Sequence, residues 1–127
     1  MRLLTLLTTV MLAFTSLQAA AFEKMVKYRN IKVEMVSDKP LTTGMNKLEL
    51  HLFKRSTPIK DANVAVKFFM PAMPGMPYME HKTVAKPLGN GVYEAAFNAS
   101  MGGTWQVHIF ITTKEGKKYR LKSSINL

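Results

Sequence analysis

From Ile31 onward, apolar residues in this chain recur at every second position, run after run. Ile31, Val33 and Met35 alternate with Lys32, Glu34 and Val36. Leu48, Leu50 and Leu52 alternate with Lys47, Glu49 and His51. Val64, Val66 and Phe68 follow, then Val92 to Phe97, then Trp105, Val107, Ile109 and Ile111. Tyr119, Leu121, Ser123 and Ile125 close the chain. A period of two sends successive side chains to opposite faces of an extended strand, so each run has one buried and one wetted side. Turn-forming residues separate the runs: Asp38-Lys39-Pro40, Thr57-Pro58 with Lys60-Asp61, Gly89-Asn90-Gly91 and Lys114-Glu115-Gly116-Lys117. Lys82 to Lys86 is a further short candidate strand. No stretch sustains a helical period. Short strands broken by turns at roughly 8–12-residue spacing predict one all-β domain, an immunoglobulin-like β-sandwich of about seven strands.

The first residues follow a different rule. Met1-Arg2 is a minimal positive start, Leu3 to Leu17 is apolar apart from Thr and Ser, and Gln18-Ala19-Ala20-Ala21 supplies small residues. This three-part pattern reads as a secretory signal peptide over 1–19, cleaved after Ala19 or else after Ala21, leaving a single domain over 20–127. The alternative is an uncleaved anchor, since Leu3 to Phe22 is just long enough to span a bilayer. Thr5, Thr8, Thr9, Ser16 and Gln18 dilute that stretch, and no positive cluster follows it.

Export changes the meaning of the composition. The chain has no Cys, which excludes disulfides, a zinc ribbon, a thiol nucleophile and a lipoprotein anchor. Its 18 basic and 8 acidic residues give +10, and loss of Arg2 with the signal leaves 17 − 8 = +9. Nucleic acid is not an expected partner outside the cytoplasm. Contact with an anionic membrane surface or an acidic partner would use that charge, while lysines spread singly along exposed strands also serve solubility.

Ten residues are Met, and four of them fall within Met70-Pro71-Ala72-Met73-Pro74-Gly75-Met76-Pro77-Tyr78-Met79. Proline at every third position opposes helix and β-ladder alike. A polyproline II path, with three residues per turn, would place all four Met on one side. Pro74-Gly75 adds the signature of a type II turn, which brings Met73 and Met76 together as its ends. Thioether sulfur is a soft neutral ligand, suited to Cu(I) and poor for Zn, Mg or Ca. Met73 and Met76 are therefore the best-placed candidate metal ligands, flanked by Met70, Met79 and the imidazole of His81. The competing reading is packing, because flexible Met side chains fill irregular gaps well.

Ala62-x-Val64-x-Val66, the Met-Pro block, Gly91-Val92-Tyr93-Glu94-Ala95 and Met101-Gly102-Gly103-Thr104-Trp105-Gln106-Val107 occur in the order of a known group. The chain resembles the YtkA/FixH-like exported β-sandwich domains, and within them the CrdA-type copper-resistance proteins. That resemblance implies a periplasmic protein of copper tolerance and metal homeostasis, working beside a heavy-metal efflux pump, with the copper ion as its ligand. His51 and His108 match nothing in the motif and fall on the polar phase of their strands, where solvated side chains are expected. Met101 joins the candidate set if its turn meets the 70–82 loop at one end of the sandwich. Met25, Met35 and Met45 are expected to pack. Trp105 is in phase with Val107 and Ile109 and is expected in the core. No paired acids, nucleophile elbow or phosphate loop is present, so no enzyme is expected. The leading expectation is a Cu(I) buffer or carrier. The alternative is a metal-free module whose Met-Pro loop docks on an efflux adaptor or another envelope protein.

Overall fold

The structure, a computed structural model, describes residues 21–127. The expected signal peptide, 1–19, lies outside them. The described residues form ten strands in chain order: β1 Phe22–Tyr28, β2 Ile31–Ser37, β3 Gly44–Lys54, β4 Thr57–Pro58, β5 Asn63–Met70, β6 Met79–Val84, β7 Lys86–Gly89, β8 Val92–Ala99, β9 Thr104–Thr112 and β10 Lys118–Asn126. One sheet has the order β1-β2-β3-β8-β7, with β4 paired to β3; the other is β10-β9-β5-β6. All pairings are antiparallel. The all-β sandwich expected from the alternation is the observed fold.

The period-two runs supply its core. Val33, Met35, Leu48, Leu50 and Leu52 from one sheet face Val64, Val66, Phe68, Val107, Ile109 and Leu121 from the other. Between the sheets, the Phe68 and Phe97 rings stack at 4.0 Å and Trp105 meets Phe97 edge-on at 5.2 Å. Each aromatic pair of this kind adds about 0.5–1.5 kcal/mol beyond its area burial.

The count differs from the expected seven because three strands carry weak patterns. In β1, Lys24 occupies the same phase as Phe22 and Val26. This edge position is tolerated because Lys24 Nζ reaches the Ser124 carbonyl of β10 at 2.7 Å, closing the open side of the sandwich. β4 has two residues, and β7 contains Pro87 and is exposed throughout, as suits an edge strand. The strand expected over 82–86 begins earlier, at Met79, and ends at Val84.

Two further expectations are corrected. Met35 is buried, but Met25 and Met45 are exposed. Met25 lies opposite in phase to buried Val26, and Met45 shares the outward phase of Lys47 and Glu49.

A buried tyrosine ties the two sheets at one crossover. Tyr93 Oη donates to the Ile59 carbonyl at 2.9 Å and accepts from the Ala62 amide at 3.1 Å, holding the segment that leaves β4 and enters β5. Beside it, Gly91 has φ 78°, and a Cβ there would lie 2.8 Å from Pro58 Cβ. Only glycine fits both that backbone and that approach.

Candidate functional site

The Met-Pro block forms the tip of the β5–β6 hairpin. Met70 pairs with Met79, Phe69 with Glu80 and Phe68 with His81. Met73 and Met76 form an isolated antiparallel bridge beyond them. They exchange both backbone hydrogen bonds, Met73 N to Met76 O at 2.9 Å and Met76 N to Met73 O at 2.8 Å. Gly75 has φ 80°, as the third residue of a type II turn requires. The turn expected at Pro74-Gly75 is therefore present.

The four Met do not lie along one straight extended path. They form two cross-strand pairs, because the period-three repeat is symmetric about the Pro74-Gly75 turn. The ladder is interrupted between these pairs. In antiparallel alternation the next bonded pair outward from Met73–Met76 would be Pro71 with Tyr78, and Pro71 has no N–H to give. The tip is thus a small hydrogen-bonded loop joined to the sheet by two unladdered residues on each side.

The four Met differ in setting. Met70 is buried at the end of β5, while Met73 is 55 % exposed. Met76 and Met79 are partly buried against the core. His81 shares the inward phase of β6 with Met79 and lies edge-on to Phe97 at 6.0 Å.

Antiparallel pairing of β5 with β9 decides what meets this hairpin. Phe69 pairs with Gln106, so the end of β5 lies beside the start of β9 and the turn from β8 into β9. Two contacts join them. Ser100 Oγ donates to Met79 Sδ at 3.3 Å, and Met70 Cε lies 3.3 Å from where a Gly103 Cβ would stand. A side chain at residue 103 would press on Met70, and Gly103 has φ 123°. Met101, in the same turn, is partly buried against the core. Its carbonyl accepts from Trp105 Nε1 at 3.0 Å. The turn is further held by Leu127 N donating to Gly103 O at 2.9 Å. Met70, Met79 and the Met101 turn therefore converge at one end of the sandwich, with Met73 and Met76 at the hairpin tip.

The chemistry of this end is that of soft neutral donors. Among the described residues no three His, Asp or Glu side chains group in a way that could hold a metal ion. Residue-type reasoning passed over Ser100 and Trp105 as parts of the site. Ser100 donates to a sulfur, and Trp105 anchors the backbone of Met101 from within the core. The only signal for either was adjacency to Met101-Gly102-Gly103.

His51 and His108 lie away from this end. His51 Nε2 is 3.2 Å from Glu49 Oε2. His108 is half-buried and not free in solvent, with the Phe69 ring at 4.9 Å and that of Phe110 at 6.3 Å. Loss of hydration, and then the charges of Lys122, Arg120 and Lys67, hold its pKa below the ordinary value.

A family model described as YtkA-like matches residues 25–110. The chain belongs to the YtkA-like family. The match runs from β1 into β9 and takes in the hairpin, Ser100, Met101 and Trp105. Among solved structures, this YtkA-like chain is similar to the soluble domain of PmoD from Methylocystis sp. ATCC 49242 (Rockwell). The TM-score is 0.54 at 15 % identity, with 80 % of this chain and 95 % of that chain covered. At that identity the likeness is one of fold. No curated protein matches the chain.

Proposed function

We propose that this YtkA-like domain is an exported, periplasmic copper protein that holds Cu(I) in thioether ligation and buffers it or delivers it to a heavy-metal efflux system. The observation that carries this reading is the double pairing of the hairpin, Met70 with Met79 and Met73 with Met76, against the turn that bears Met101. Cu(I) favours soft sulfur donors and accepts low coordination numbers, and a Cys-free chain offers thioether as its only sulfur ligand. Met73 and Met76 are the primary ligands in this reading. Met79 and Met101 are the next donors, Met70 contributes from beneath the hairpin, and His81 adds an imidazole from the inward phase of β6. No reaction is catalysed; the work is holding and release.

The test is Cu(I) titration of residues 20–127 in competition with a chromophoric chelator, repeated with the Met73→Ala/Met76→Ala variant. A stoichiometric site that is weakened at least tenfold in the variant supports the reading. Unchanged affinity in the variant removes the ligand assignment. Absence of any stoichiometric site favours the second reading, a metal-free docking loop. That reading draws on the exposure of Met73 and Tyr78 at the tip, since flexible Met-rich surfaces make adaptable contacts.

A further inference from the structure

The outward face of the β10-β9-β5-β6 sheet has an order that chain position does not reveal. Strand register sets Lys122 beside His108, His108 beside Lys67, and Lys67 beside Lys82. Four basic side chains thus cross the sheet in one row. The neighbouring row is Arg120, Phe110, Ala65 and Val84. On the other side of the basic row stand Phe69 and Glu80, and Tyr78 lies 6.1 Å from the Phe69 ring. Phe110 is 38 % and Val84 78 % exposed.

This arrangement is not what sheet stability alone would select. Like charges directly opposite one another on adjacent strands are destabilising, and Lys67 faces Lys82. Glu80 offsets them in part, at 3.8 Å from Lys67 and 3.3 Å from Lys82. It is the one acid on a face that also carries Lys118, Arg120 and Lys122. Loss of hydration first, and then the charges of Lys122, Arg120 and Lys67, hold the pKa of His108 below its ordinary value. Exposed aromatic and aliphatic tips interleaved with cations match the headgroup region of a bilayer, which takes rings at the interface and gives phosphates to Lys and Arg. A trough of about 460 Å³ between Ala65, Lys67, Lys82, Val84 and Phe110 gives that row an apolar floor with basic rims.

We infer that this sheet face docks on a bilayer surface rich in anionic phospholipid, with Lys67, Lys82, Arg120 and Lys122 at the phosphates and Phe110 and Val84 at the interface. The inference stands whether or not the hairpin binds copper. Its occupant is a membrane and not an acidic protein, because exposed Phe110 and Val84 on one side of the basic row and Phe69 with Tyr78 on the other set apolar tips among the cations, the combination that a bilayer interface accepts.

The test uses residues 20–127, which contain all ten strands, sedimented with vesicles of phosphatidylcholine alone or mixed equally with phosphatidylglycerol. Binding to the anionic vesicles only, falling steeply with added salt, is the expected result. Arg120→Glu/Lys122→Glu is expected to weaken it by about 25-fold or more, at about fivefold for each basic residue lost near such a surface. Phe110→Ser is expected to weaken it severalfold with the salt dependence unchanged. A control with the same net charge, Lys27→Glu/Lys47→Glu, alters the opposite sheet and is expected to bind as the parent does. Circular dichroism checks that each variant is folded. No binding to anionic vesicles overturns the inference, as does equal loss in the control, which would make net charge and not this face responsible. Binding to polyglutamate without binding to vesicles also overturns it, in favour of an acidic protein partner.

Discussion

Met73 and Met76 close the tip of the β5–β6 hairpin on each other, each amide donating to the other's carbonyl across Pro74-Gly75. The two candidate sulfur ligands are thereby fixed at the backbone, with the Met73 side chain exposed and that of Met76 partly buried against the core. That combination suits a metal which must be both held and released. It rests on Gly75, whose φ of 80° disfavours any residue with a Cβ.

Gly75→Ala is therefore expected to loosen the tip and spare the core. A non-glycine residue in this region costs on the order of 1–2 kcal/mol. The hairpin tip can open locally to relieve that cost. Chelator competition should show weaker Cu(I) binding, and urea unfolding should show a midpoint close to that of the parent.

Ser100→Ala tests the hydrogen bond from Ser100 Oγ to Met79 Sδ. A metal at Met79 must displace or share this donor. A typical net hydrogen bond contributes about 0.5–1.5 kcal/mol, so its removal is expected to raise Cu(I) affinity about two- to tenfold in the same competition assay. A fall in affinity would instead make Ser100 a positioning residue for the sulfur.

Trp105 provides an optical reporter. It is the single Trp of the chain, and its Nε1 donates to the Met101 carbonyl at 3.0 Å. Cu(I) or Ag(I) binding that engages Met101 should change Trp105 emission, saturating at one equivalent. Met101→Leu should abolish that change, and the overall fold should persist because Leu conserves the apolar volume.

Tyr93→Phe removes the clamp on the β4–β5 crossover. The Ala62 amide would lose its buried partner, and the Ile59 carbonyl its donor. An unsatisfied buried group costs about 1–3 kcal/mol. The urea midpoint should fall with the m-value unchanged, and Cu(I) affinity should be unaffected, since the clamp and the hairpin belong to different parts of the fold.

His108 predicts a pH dependence of stability with a definite sign. Desolvation, then Lys122, Arg120 and Lys67, lower its folded-state pKa below 6.5. The folded chain therefore binds this proton less readily than the unfolded chain does. The contribution to stability is full above 6.5 and is lost as pH falls through that value toward the folded pKa. His108→Gln should flatten this part of the curve of urea midpoint against pH. An imidazole titration followed by NMR should give a midpoint below that of a free histidine.

Much of this architecture was legible in residue order. Val33, Leu50, Val66 and Ile109 announced their strands and their buried faces, because a half-buried strand cannot avoid a period of two. Pro74-Gly75 announced its turn through local backbone chemistry alone. Strand β1 was hidden because Lys24 stands in its inward phase, an arrangement that only the hydrogen bond to Ser124 explains. Residue type alone sends Met25 and Met45 to packing, whereas strand phase sets them in solvent.

The sequence by itself determined the seven strands with a clear period of two, the turn at the hairpin tip and the supply of soft thioether groups, since these depend on side-chain period, proline and glycine geometry and sulfur chemistry. Tertiary structure decided which of the Met side chains lie against the turn that bears Met101. Met79 met Ser100, and Met70 met Gly103, only because β5 pairs with β9 and brings two loops to one end. The basic row from Lys122 to Lys82 likewise exists only through strand register. A shift of one residue would turn each of those side chains to the other face, and the pairing that prevents it is set by contacts distant in the chain.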